Sequence, residues 1–200
     1  MRFSTETERL EAFSDGVLAV IITIMVLEIR PPGAVTFAAL HDALPSIALY
    51  ALSFVFIGIY WNNHHHMLRA SEGIDGAAMW ANLHLLFWLS LVPFATEWLG
   101  KNPTAVAPTV VYGAVLLMDA IAWTILQRTL LRVNGADTPF AKAVAVDGKG
   151  TASIVLYVLA VAIAFVAPAL ADAVLVAVAI LWLVPDRRFE AMIWRSKSPE

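Results

Sequence analysis

Six stretches of the chain are apolar almost without interruption: residues 10–29, 44–62, 77–99, 106–130, 151–170 and 171–185. Each approaches the roughly 20 residues that a membrane-crossing helix requires. Turn-forming clusters separate the first five: "RPPGA" at Arg30–Ala34, "SEGIDG" at Ser71–Gly76, "GKNP" at Gly100–Pro103 and "NGADTP" at Asn134–Pro139. Only "APALAD" at Ala167–Asp172 joins the last two. The sixth run is short, about 15 residues or ~22 Å of helix. The pattern predicts an all-α integral membrane protein with six transmembrane helices per subunit. No polar segment between the runs is long enough to fold alone, so residues 1–200 read as one domain.

Charge supplies an orientation. With the N-terminus in the cytoplasm, Arg2, Arg9, Arg69, Arg128, Arg132, Lys142, Lys149, Arg187, Arg188, Arg195 and Lys197 all fall inside. Only Arg30 and Lys101 of the 13 basic residues fall outside. That bias follows the positive-inside rule and favours six spans, with both termini cytoplasmic, over five. Composition agrees: 60% of residues are hydrophobic and 14% charged, against roughly 45–50% and about 25% in soluble domains. Absence of cysteine excludes disulfides, thiol catalysis and Cys-ligated zinc. A net charge of −3 gives no basic surface for nucleic acid. Glu6, Glu8 and Glu11 interrupt what a secretory signal would need as a basic and then apolar run.

The first run, "ERLEAFSDGVLAVIITIMVLEI", carries Ser14 and Asp15 at its entrance and Thr23 among aliphatics. At about 100° per residue, Gly16, Val20, Thr23 and Leu27 share one stripe, with Ile24 on its flank. Ala19, Ile22 and Val26 lie on the Asp15 side instead. A carboxylate in a bilayer seeks protein donors, so Asp15 reads as a packing anchor between helices. Thr23 admits two readings: its hydroxyl bonds back to its own helix, or its stripe lines a pore.

The arrangement Arg9, then Phe13-Ser14-Asp15-Gly16-Val17, then aliphatics, Thr23 and a terminal Leu27-Glu28, resembles the signature of the transmembrane protein 175 family of potassium channels. "YWNNHHHML" at Tyr60–Leu68 is similar to the end of that family's second helix. "NLHLLFWLSLVPFATEWLG" at Asn82–Gly100 is similar to its third. The resemblance implies a cation channel built of six-helix subunits. The single Phe-Ser-Asp copy is similar to the prokaryotic, homotetrameric kind, which implies a multi-pass protein of a prokaryotic cell membrane. By resemblance, Val20 forms the pore constriction, Thr23 a selectivity layer, and Ile24 and Leu27 further aliphatic rings. Family members commonly carry Ile or Leu where Val20 stands, so Val20 implies a wider waist unless Leu27 is the narrowest ring. The resemblance also implies that Arg9, Phe13, Ser14 and Asp15 brace the tetramer against Trp61, Asn62 or the histidines, with His65 and Asn82 in the same network. It implies potassium as permeant ion, no cofactor and no resident metal; the partners are further copies of the chain, membrane lipid and monovalent cations.

Three other features bear on function. His64, His65 and His66 point about 100° apart on a helix, so they cannot converge on one ion, and no HExxH spacing occurs. Asp119 lies ~20 Å into the fourth run, near the bilayer middle, where an ionisable group is a functional candidate. It either hydrogen-bonds Asn82, His84 or Trp123 to pin helices, or forms a relay with His84 in a proton-coupled secondary transporter. The transporter reading lacks inverted repeats and helices interrupted well inside their spans. No Ser-His-Asp, HExxH or paired-carboxylate arrangement suggests an enzyme.

Overall fold

In the computed structural model, residues 5–135, 138, 141 and 148–183 are described. The apolar runs become α1 (Thr5–Leu27), α2 (Phe37–Ala70), α3 (Gly76–Leu89), α4 (Val92–Lys101), α5 (Val106–Asn134), α6 (Gly148–Ala164) and α7 (Pro168–Leu183). Four units are long and apolar enough to cross a membrane: α1 from Glu6, α2, α3 with α4, and α5. The last two helices are shorter but equally apolar. Together they make six antiparallel passes, and no strand occurs among the described residues.

Several boundaries differ from the apolar runs. α2 extends well beyond residues 44–62, because Thr36 caps it by accepting from the Ala39 N–H at 3.2 Å and the helix continues through the histidines. The final break falls at residues 165–167 rather than 170–171, because Pro168 opens α7 at a position where a missing N–H is tolerated. Residues 184 and 185 of the sixth run lie outside the described residues, as do Arg2, Lys142, Arg187, Arg188, Arg195 and Lys197.

The third pass is a broken helix, with α3 ending at Leu89 and α4 starting at Val92. Pro93 has no N–H and sits at the start of α4, so the chain tightens at Ser90–Leu91. Ser90 N–H donates to Leu86 O at 3.0 Å, Leu91 N–H to Trp88 O at 2.9 Å, and Ser90 Oγ to Phe87 O at 2.6 Å. These bonds keep the carbonyls of Leu86, Phe87 and Trp88 engaged within the pass.

Polar clamps set the remaining packing. Asn134, at the end of α5, donates to Ser71 Oγ at 2.8 Å and accepts from Glu72 N–H at 2.6 Å, tying α5 to the α2–α3 turn. Thr96, Ser53 and Tyr112 form a buried chain across α4, α2 and α5, with contacts of 2.7 and 2.9 Å. Trp182 donates to Ser153 Oγ at 2.7 Å and pins α7 on α6. Gly113 lets α5 and α6 approach closely, since a Cβ there would meet Val161 Cγ2 at 3.1 Å.

Candidate functional site: the two faces of α1

α1 is amphipathic in an unusual sense: both faces are apolar, but only one is buried. Thr7, Leu10, Ser14, Leu18, Ile21 and Met25 recur every three or four residues and are all buried, packing α1 on α2, α3 and α4. The opposite face stays open. Val20 is 54% exposed and Leu27 78%, against 1% for Leu18 and 2% for Met25. Thr23 and Ile24 are exposed with them. Val20, Thr23, Ile24 and Leu27 therefore share the free face of the helix. Phe13 and Gly16 continue that face, and an open cleft of about 750 Å³ runs beside it, bounded by Pro93, Phe94 and Glu97 of α4.

The Thr23 hydroxyl donates to Val20 O at 2.9 Å. Its two sequence readings are thus compatible. The proton is spent inside the helix, and the oxygen's acceptor lone pairs are left for the open side.

The anchor sits on the other faces. Ser14 Oγ donates to Leu10 O at 2.8 Å and accepts from Asn82 Nδ2 at 2.9 Å. Asn82 Oδ1 then lies 2.6 Å from His64 Nε2. Because the amide nitrogen is committed to Ser14, Oδ1 is the acceptor and His64 carries its proton on Nε2. All three side chains are fully buried. Asp15 Oδ1 accepts from Trp61 Nε1 at 3.0 Å. One turn earlier, Glu11 Oε1 lies 2.7 Å from His65 Nδ1 and 3.4 Å from Arg69 Nε.

These contacts all lie within one subunit. The sequence network contained Ser14, Asp15, Trp61, Asn82 and the histidines without choosing among them, but omitted Glu11 and Arg69. Phe13, Arg9 and Asn62 are exposed. The three consecutive histidines diverge, with His64 on Asn82 and His65 on Glu11. Glu11, Asp15 and His65 do bring one ligand atom each within 4.8 Å of one another. Their carboxylates are nevertheless already engaged by Trp61 and Arg69.

Asp119 is fully buried, and neither oxygen has a hydrogen-bond partner. It is not bonded to Asn82, His84 or Trp123. Asn82 is committed to Ser14 and His64, and His84 Nε2 accepts from Trp88 at 2.9 Å. The Asp119–His84 relay is therefore not formed. At the far end of α1, Glu28 faces Glu97, which pairs with Lys101. The Glu97 carboxyl, by hydrogen bonding and then by like charge, holds Glu28 above the usual carboxylate range.

The family described as "Endosomal/lysosomal potassium channel TMEM175" matches residues 9–93, from the α1 signature to the break in the third pass. A potassium channel of Chryseobacterium sp. (strain P1-3) is 48% identical over 182 residues, 91% of this chain and 95% of its own. The chain belongs to the TMEM175 family. Among TMEM175 relatives, a potassium channel of Streptomyces collinus (strain DSM 40733 / Tue 365) is 36% identical over 151 residues, 69% of this chain and 73% of its own. The crystal structure of a lysosomal potassium-selective channel TMEM175 homolog from Chamaesiphon minutus superposes with a TM-score of 0.78 at 30% identity. That match covers 98% of this chain and 100% of the other. This TMEM175 member is accordingly a multi-pass α-helical membrane protein.

Proposed function

We propose that this chain forms a homotetrameric, leak-type potassium channel of a prokaryotic cell membrane, weakly selective over sodium, with its pore along α1. The observation that carries the reading is the open apolar stripe of α1, with Val20, Thr23, Ile24 and Leu27 opposite the buried seam. One helix cannot enclose a lumen, so the stripe needs further copies. The cleft between α1 and α4 offers a heterologous surface for a neighbour, as closed cyclic assemblies require. Arg9, Arg69, Arg128, Arg132 and Lys149 lie at helix ends on one side of the bundle, supporting cytoplasmic termini.

The chain contains no Thr-Val-Gly-Tyr-Gly segment, so the barrier is a hydrophobic waist with a hydroxyl ring rather than a ring of backbone carbonyls. An ion entering it sheds part of its water. Potassium holds that water less tightly than sodium, and each ~1.4 kcal/mol of barrier difference gives about a tenfold preference. Thr23 oxygens, with their protons turned inward, replace part of the lost shell.

The test is direct because the chain has no cysteine. Single substitutions Val20→Cys, Thr23→Cys and Leu27→Cys, in protein reconstituted in liposomes, should each make potassium flux sensitive to a water-soluble thiol reagent. Val20→Ala or Leu27→Ala should raise sodium permeation relative to potassium. Insensitivity at all three cysteines, with unchanged ratios in both alanine variants, removes the stripe from the pore.

A second reading, a proton-coupled transporter, rests on the unpartnered Asp119 carboxyl. It predicts saturating flux that loses coupling in Asp119→Asn. The channel reading predicts currents near linear in driving force and indifferent to that change.

A further inference from the structure

A groove of about 510 Å³ runs between α2 and α7, away from the pore helix. α1 packs on α2, α3 and α4, whereas α7 packs on α6, α2 and α5, so the groove opens on the flank that α1 does not occupy. Its walls are apolar, and Ala48, Ala51 and Ala179 keep it open where larger side chains would close it. From Asp172 to Leu183 it follows α7 for ~16 Å of helical rise, roughly one leaflet of hydrocarbon.

Two polar side chains break that lining: Tyr112, whose hydroxyl is paired with Ser53, and Asp172. Asp172 stands at the end near Gly100 and Pro103, within the first turns of α7 and beside the end of α4, so a chain laid along the groove brings its headgroup to that end. The Asp172 Oδ1 is buried and has no hydrogen-bond partner. A buried acceptor of this kind is costly unless a donor is supplied, and a carboxyl oxygen is best matched by a cationic N–H.

We propose that this groove binds one acyl chain of a membrane aminophospholipid, whose ammonium headgroup donates to Asp172. Headgroup chemistry sets the preference. A phosphatidylethanolamine ammonium offers both charge and N–H donors. A phosphatidylcholine headgroup keeps the charge but has no N–H, and a phosphatidylglycerol headgroup has hydroxyl donors on an anionic lipid. Charged hydrogen bonds contribute about 1.5–3 kcal/mol, which corresponds to at least about tenfold in retention.

The experiment uses the intact protein reconstituted in vesicles of equimolar phosphatidylethanolamine, phosphatidylcholine and phosphatidylglycerol with matched chains, then extracted and weighed by native mass spectrometry. The wild type should retain phosphatidylethanolamine about tenfold over each of the other two. Asp172→Leu should bring the ratio near one while some lipid stays bound. Should that variant fail to fold, Asp172→Asn should lower the ratio. Ala179→Phe, which fills the groove, should lower retention of all three lipids. Equal retention by the wild type, or an unchanged ratio in the folded Asp172 variant, overturns the proposal. Binding of dodecylamine without phosphatidylethanolamine overturns the lipid as occupant. Absence of retained lipid, as when another subunit or residues 184–200 fill the groove, also overturns it. These readouts need no ion conduction, so they stand apart from the pore assignment.

Discussion

Asn82→Leu probes how α1 is held. Leucine preserves most of the volume but removes the amide that donates to Ser14 at 2.9 Å and accepts from His64 at 2.6 Å. Both partners are fully buried, so neither finds water in exchange. Interhelical hydrogen bonds in membranes contribute about 0.6 kcal/mol each and up to ~1.7. Two bonds lost, with the buried His64 Nε2 left unpaired while Ser14 keeps its bond to Leu10 O, give a destabilisation of about 2 kcal/mol. For a chain of this length that corresponds to a fall in Tm of ~4–8 °C. The assay is thermal unfolding of the purified protein in detergent. Ser14→Ala and the double variant close a mutant cycle whose coupling should lie between ~0.6 and ~1.7 kcal/mol. A Tm change under about 1 °C, or a coupling near zero, would refute the view that this amide fixes α1 to α2 and α3.

Three further outcomes are expected. Trp61→Phe keeps the ring but removes the donor to Asp15; it should lower potassium flux in liposomes while leaving circular dichroism unchanged. Glu28 is held above the ordinary carboxylate range by Glu97, so it takes up a proton at a higher pH than an isolated glutamate would. As pH on the Glu28 side falls through that range, that end of the proposed pore loses negative charge and potassium current entering from it should drop; Glu28→Gln should flatten this dependence in planar-bilayer recordings. Gly113→Leu drives a side chain into Val161, which already lies 3.1 Å from the Cβ position; it should unfold at least a few degrees earlier on a melting curve.

Much of this architecture is written in the sequence because the bilayer leaves little choice. Long apolar runs can satisfy their backbone only as helices, so six runs mean six passes. The free stripe of α1 was also legible, since a period of 3.6 fixes which residues share a face even when the partner is unknown. What escaped depends on rotations that no single helix specifies. Three histidines in a row offer every direction, and only the setting of α2 against α3 chooses His64 for Asn82. Glu11 reads as one of several acids near the N-terminus until α2 brings His65 and Arg69 beside it. Pro93 looks terminal from the apolar run alone. Its consequence becomes visible only when Ser90 and Leu91 are seen taking the carbonyls behind it.

The opening helix separates two tasks by angle rather than by position. Ser14 and Asp15 turn their polar atoms toward Asn82 and Trp61 of the same subunit, near one end of the helix. Thr23 lies more than two turns further on and faces the open side, with its proton returned to the Val20 carbonyl. That internal bond restricts the Thr23 rotamer, so the direction of its oxygen follows the rotation of the whole helix. A rotation of α1 about its Ser14–Asn82 anchor would therefore turn a hydroxyl that Asn82 never touches. A variant that weakens the Ser14 anchor should alter ion preference as well as stability, whereas Leu18→Ala, which removes buried volume on the same seam, should mainly alter stability.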